Sequence, residues 1–334
     1  MDNIYIYPKI ADDDNPYIKN LENSLSKDYE IINKNIIKNG VLDLFKYILK
    51  TDVYFFNWIE DLAMRRYGSG QIIVFLLFLI CSKCLRKKII WTLHNKYTHY
   101  KIRSNRVDFM YSIMLKHSDL IFTHSQSGID LILEKNPSYA KKMKYLVHPV
   151  NPIFPLLAHA DYIYDFLIWG DIHPYKGVTE FLKFLKETEN IHLFKILIVG
   201  RCLDYHYKNE LNKYLSSNII HYDEFYEIEK IACFANKSKF TLFTYKPESF
   251  LSSGSLMESI RMGSAIIGPN IGAFKDLSSY NFMRTYNTYN EILEIYNDFN
   301  YCKKSILTDA VNFCHENSWD LFGKKLLKEL SKVL

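Results

Sequence analysis

Pro247-Glu248-Ser249-Phe250-Leu251-Ser252-Ser253-Gly254-Ser255-Leu256-Met257-Glu258-Ser259-Ile260-Arg261-Met262-Gly263-Ser264-Ala265-Ile266-Ile267-Gly268-Pro269 carries the reading on which the fold turns. An acid, Glu248, precedes a small-residue turn; a short helix with a second acid, Glu258, follows; an apolar strand then ends in Gly-Pro. A Ser253-Gly254-Ser255 turn that opens a helix leaves backbone N–H groups without intrahelical acceptors, and these attract phosphate. A carboxylate further along the helix can accept hydrogen bonds from ribose hydroxyls. The pattern is that of a nucleoside-diphosphate site. A competing reading starts the helix near Ser255, puts Glu258 in its first turn and returns the carboxylate to the Ser255 N–H as a capping box.

Outward from this stretch, short apolar runs alternate with segments of helical period. One series of strands is expected at 165–169, 194–199, 219–221, 240–243, 265–268 and 282–285. An earlier series falls at Asn3–Tyr7, Val53–Asn57, Lys88–Leu93, Leu120–Thr123 and 144–147. That rhythm predicts an α/β protein with parallel sheets covered on both faces. In 334 residues, two sheets predict two domains, 1–155 and 156–334. Pro149, Pro152 and Pro155 break any regular pattern at the junction. In a last helix over 318–333, Trp319, Leu321, Phe322, Leu326, Leu327, Leu330 and Val333 share one stripe; packing back on the first domain is the expectation for it.

Open α/β sheets bind ligands beyond the carboxyl ends of their strands, so the strand-end loops hold the candidate residues. The 165–169 strand runs into Gly170-Asp171-Ile172-His173-Pro174-Tyr175-Lys176-Gly177, where Lys176 can meet a phosphate as a point charge. Gly200-Arg201 and Thr244-Tyr245-Lys246-Pro247-Glu248 end two further strands, and three such loops can line one crevice. Taken singly, each reads equally as a solvated turn. In the first half, Leu93 leads into His94-Asn95, where an imidazole can contact a sugar hydroxyl or take a proton; the competing reading is a structural loop histidine bonded to backbone. Asn57, Glu60, Asp61 and Ser125-Gln126-Ser127 occupy other strand ends.

Charge is uneven. Residues 1–155 hold 22 Lys/Arg against 15 Asp/Glu, net +7, and residues 156–334 hold 20 against 22, net −2. A basic first half suits an anionic membrane surface or a phosphate-bearing substrate better than a nucleic acid, which is not an expected partner. The run Gln71-Ile72-Ile73-Val74-Phe75-Leu76-Leu77-Phe78-Leu79-Ile80-Cys81, with Arg65 and Arg66 before it and Lys83, Arg86, Lys87 and Lys88 after it, is shorter than the roughly 20 residues that span a bilayer. It reads as a helix packed on the sheet or as a monotopic attachment face. Six scattered cysteines point to a reducing compartment and to no zinc or redox site. Asp12-Asp13-Asp14 lacks the further ligands of a metal site and reads as a solvated loop. The first strand enters Pro8-Lys9-Ile10-Ala11-Asp12 rather than a Gly-x-Gly-x-x-Gly turn, which argues against a dinucleotide-dependent dehydrogenase. No apolar signal core opens the chain, so a cytoplasmic protein is expected.

The strand–Gly–loop–Lys-Gly at 170–177 and the two-acid stretch at 247–263 resemble those of GT-B nucleotide-sugar glycosyltransferases, especially the large retaining bacterial family of lipopolysaccharide and capsule synthesis. The resemblance implies two Rossmann-like domains facing a central cleft, the first on the acceptor side and the second binding the donor. It implies a glycosyltransferase, a hexosyltransferase by preference, moving a sugar from a UDP- or GDP-sugar to a hydroxyl of a glycan or lipid-linked glycan, with retention and without a metal. Gly170, His173, Lys176, Arg201, Ser253, Gly254, Ser255 and Glu258 would hold the donor, with Lys176 on the diphosphate and Glu258 on the ribose. His94, Glu248 and Lys176 would be catalytic. Two departures are visible: nine residues, 249–257, separate the acids where the family has seven, and His173 stands near where the family often has arginine. A GT-B nucleotide-sugar epimerase and a non-catalytic nucleotide-sugar-binding or assembly protein are the alternatives. The expected location is cytoplasmic, peripheral on the inner membrane.

Overall fold

Runs of β-branched and aromatic residues, bounded by polar turns, form twelve strands among the described residues of the computed structural model, which are 2–9, 16–95, 104–155, 161–246, 251–298 and 302–333. They are β1 (Asn3–Tyr7), β2 (Glu30–Ile31), β3 (Val53–Asn57), β4 (Lys88–Leu93), β5 (Leu120–Thr123), β6 (Met143–Tyr145), β7 (Tyr164–Trp169), β8 (Ile196–Val199), β9 (Ile219–Tyr222), β10 (Ser238–Leu242), β11 (Ile266–Pro269) and β12 (Met283–Tyr286). Every pairing is parallel. Consecutive apolar residues are buried on both faces, as along β3 and β8, which is why these strands read as continuous apolar runs rather than as an alternation.

The chain divides into two units, Met1–Pro149 with Trp319–Leu334, and Val150–Ser318. The first division falls at Pro149 rather than after Pro155, and the chain leaves the second unit again at Ser318. Within the second unit these two crossings are adjacent: Val150 and Ser318 form an isolated parallel bridge, and the Val150 N–H donates to the Asn317 carbonyl at 2.9 Å.

The first sheet has the order β2-β1-β3-β4-β5-β6 and the second β12-β11-β10-β7-β8-β9. Strand order therefore reverses between β1 and β3 in one unit and between β7 and β10 in the other. The connections leave opposite faces of the sheet there and open a crevice at the carboxyl ends. The two-residue β2 is absent from the sequence expectation because so short a run leaves no periodic signal.

The final helix, Trp319–Leu330, lies in the first unit. Phe322, Leu326 and Leu330 join Ile4, Ile6, Leu21, Val53 and Phe122 in one core. Gly323 lets it approach the helix Tyr17–Leu25, since a Cβ there would lie 2.9 Å from the Ser24 carbonyl oxygen. Asp12, Asp13 and Asp14 lie outside the described residues.

Candidate functional site

In the second unit the loops leaving β7, β8 and β10 converge on the reversal point. Gly170 follows β7 with φ +82°, and a Cβ there would meet the Lys176 Nζ at 3.0 Å and the Ser255 Oγ at 3.3 Å. Residues 79 positions apart in sequence thus share one small space, which a side chain at position 170 would fill. Gly200, with φ +143°, packs so closely on the Gly170 carbonyl that a Cβ would overlap it. Gly177 has φ +66° and lies equally close to the Thr244 carbonyl, while the Thr244 hydroxyl donates to the Lys176 carbonyl and the Lys246 N–H donates to the Tyr175 carbonyl at 2.9 Å. These contacts need backbone against backbone, and glycine alone supplies both the space and the left-handed φ.

Lys176 is buried, and its Nζ donates to the Trp169 carbonyl at 2.9 Å. Among the described residues no carboxylate lies within ion-pair distance of it. Burial lowers its pKa to about 8, against the opposing field of Asp171. An ammonium carries three donors, and a buried one without a paired anion gains strongly from an anionic ligand. The ring of Tyr245, also buried, lies 5.8 Å from the Nζ. Burial raises the pKa of the Tyr245 hydroxyl, and the nearby Ser253 and Ser255 side chains oppose the rise. Arg201 Nε lies 3.5 Å from Asp171 Oδ1, both half exposed, and the guanidinium lies over Phe225. The His173 ring stacks on Tyr175 at 5.7 Å.

Ser253 caps the helix Gly254–Arg261, its Oγ accepting from the Leu256 N–H at 3.4 Å. Among the described residues nothing lies within 4 Å of a Cβ built on Gly254, so the first residue of the helix is open on that side. The helix begins two residues earlier than a capping box on the Ser255 N–H requires. Glu258 is its fifth residue, no acid stands in the first turn, and the Glu258 carboxylate pairs with Arg261 instead. Arg261 Nε donates to the Pro152 carbonyl at 2.8 Å, which anchors the pair. Burial raises the Glu258 pKa, and Arg261 opposes the rise. Glu248 lies outside the described residues.

In the first unit, His94 follows β4 and is buried. Its Nε2 lies 2.9 Å from Asn57 Oδ1 and its ring stacks on Trp58 at 4.2 Å. A side-chain amide thus meets one ring nitrogen of His94. Glu60 is buried with its carboxyl pushed up to about 8, by burial first and then by Asp61. Ser125 accepts from the Ser127 N–H at 3.2 Å as the cap of the helix Gln126–Lys135.

No protein-family model and no curated protein sequence matches the chain. In structure, the HepE protein of Anabaena, in complex with UDP-glucose, is similar with a TM-score of 0.70 at 12% identity, over 99% of both chains. A glycosyltransferase from Rickettsia africae ESF-5 gives 0.62 at 15% identity, over 99% of this chain and 98% of its own. The lipopolysaccharide outer core galactosyltransferase WaaB, in its apo form, gives 0.66 at 11% identity over 100% of both chains. The chain has the GT-B fold.

Within this GT-B fold, sequence reasoning passed over three side chains. Tyr245 links the lysine to the serine turn, and its place at the end of β10 was the available signal. His124 and His148 were missed although a histidine directly follows a β-run at three places: Leu93-His94, Thr123-His124 and Val147-His148. His124 is buried between the Tyr17 hydroxyl and the Leu146 carbonyl, each at 2.8 Å. Burial pushes its pKa down to about 3, and that of His148 to about 4.

Proposed function

We propose that this protein is a glycosyltransferase that moves a hexose from a nucleoside-diphosphate sugar to a hydroxyl of a glycan or lipid-linked glycan. The observation that carries the reading is the meeting of the Lys176 ammonium and the Ser255 hydroxyl at Gly170, beside the exposed Gly254 that opens the helix Gly254–Arg261. A buried cation, a hydroxyl and unpaired N–H groups together suit a diphosphate. Structures of similar fold hold UDP-glucose or are glycosyltransferases by name.

In this reading Lys176, Ser253, Gly254 and Ser255 hold the diphosphate and Glu258 accepts from the ribose hydroxyls. Arg201 and His173 border the donor, and Glu248 approaches its hexose. As the bond between the anomeric carbon and the phosphate oxygen breaks, negative charge grows on the diphosphate, and fixed donors aimed there lower the barrier. The acceptor oxygen forms the new bond and gives up its proton. We assign retention, with the departing phosphate oxygen taking that proton, on the strength of the two motifs. No metal enters the scheme, because Lys176 and the helix N-terminus supply the positive charge. His94, fixed by Asn57 and Trp58, is the first unit's contribution on the acceptor side, and we place the protein in the cytoplasm.

Saturation-transfer NMR with a panel of UDP- and GDP-sugars tests this. Enhancement of ribose and base protons for one nucleotide, followed by an α- or β-anomer assignment of the product, is expected. Absence of enhancement across the panel would overturn the reading.

A further inference from the structure

The helix Gly68–Cys84 in the first unit is apolar on both sides. Ile72, Phe75, Phe78 and Leu79 are buried against the unit's core, and Gly68 lies so close to Ala63 that a Cβ would overlap its carbonyl. The opposite side is exposed: Ile73 is 60%, Leu77 53% and Ile80 60% accessible. Positions 73, 77 and 80 fall on one stripe, which the exposed Cys81, Cys84 and Leu85 prolong. No charged residue occurs between Arg66 and Lys83. A surface helix in contact only with water carries polar residues on its outer face.

Cations stand at both ends of the stripe. At the start are exposed Arg66, whose guanidinium lies over the exposed Tyr67 ring at 4.9 Å, and Arg106, which donates to Ser69 Oγ at 3.1 Å. At the end are Lys83 and Arg86, both exposed, and Lys87 and Lys88; Asp52 lies 3.8 Å from Lys87 and offsets part of that charge. The whole first unit holds 26 Lys/Arg against 17 Asp/Glu, net +9, while the second is net −4.

We propose that this face docks on an anionic phospholipid surface, with Ile73, Leu77 and Ile80 entering the headgroup–acyl boundary and the terminal cations meeting lipid phosphates. Charge selects this occupant over a second copy of the chain. A two-fold partner would set cations against cations whether the helices ran parallel or antiparallel, whereas anionic lipid neutralises both ends. The helix lies on the membrane and does not cross it: its 17 residues span about 25 Å, and half of its circumference is already packed on protein. No helix among the described residues is long and apolar enough to cross a bilayer.

Co-sedimentation of the full chain with vesicles of phosphatidylcholine, alone or with about 30% phosphatidylglycerol, tests the proposal. Binding at least tenfold stronger to the anionic vesicles is expected. Leu77→Asp with Ile80→Asp should reduce it a further tenfold or more while nucleotide binding and circular dichroism stay unchanged. Replacing Lys83 or Arg86 with Gln should cost about fivefold each. An environment-sensitive dye on Cys84, with Cys81, Cys233 and Cys302 changed to Ser, leaves the aliphatic stripe intact and should shift to the blue on anionic vesicles alone. Equal recovery in the supernatant with both lipids would overturn the proposal. So would unchanged binding by the Asp variant, or a lipid-free dimer in ultracentrifugation that Leu77→Asp dissociates.

Discussion

Lys176 ties the structure of the second unit to its proposed chemistry. Its pKa is lowered to about 8 by burial, below the value near 10.5 of a free lysine. Between these values the unfolded chain binds more protons than the folded one, so ligand-free stability rises with pH through that window. A bound diphosphate favours the protonated amine, so donor affinity should run the other way and fall about tenfold from pH 7.5 to pH 9. Calorimetric titrations across this range should show that fall in the wild type and a flat, weaker profile in Lys176→Met. A parallel slope in both would show that the lysine does not face the donor.

At the scale of elements, the β7 loop and the helix Gly254–Arg261 build the site with glycines of two kinds. Gly177 has a positive φ and abuts the Thr244 carbonyl, so Gly177→Ala should cost more than about 1 kcal/mol of stability. Among the described residues nothing lies within 4 Å of a Cβ at Gly254, so Gly254→Ala should leave the melting temperature nearly unchanged and weaken donor binding, because the added methyl group would stand at the proposed phosphate position. Thermal melts alongside donor titrations check the pair. The βα rhythm was legible because strands buried on both faces are apolar throughout, and the strand-end loops followed from it. The first residue of the 254–261 helix was not legible: Ser253 and Ser255 both suit a cap, and only in the fold does the Ser253 Oγ, accepting from the Leu256 N–H, take that place. The Glu258–Arg261 pair was readable as an i, i+3 spacing, but its anchor at Pro152 lies more than a hundred residues away.

At the scale of the molecule, the helix Trp319–Leu330 belongs to the first unit, so that unit's core needs residues from both sides of the second unit in sequence. The apolar stripe of 318–333 announced a buried face, expected against the first domain, and the residues opposite it, such as Ile4, Leu21 and Phe122, emerged only from the fold, since periodicity does not specify them. Leu326 is fully buried in that core, and Leu326→Ala should cost about 2–5 kcal/mol. Hydrogen exchange should show the loss in the first unit, with protection and donor binding in the second retained. In the proposed reading the residues that hold the donor all lie in the second unit, and Glu258 would distinguish the site from a bare phosphate pocket. Calorimetric titration of the bound UDP- or GDP-sugar into wild type and Glu258→Ala is therefore the most direct test. The account predicts that the variant folds as the wild type does and binds about 10- to 100-fold more weakly, the worth of charged hydrogen bonds to ribose. Equal affinity in the two proteins would contradict it.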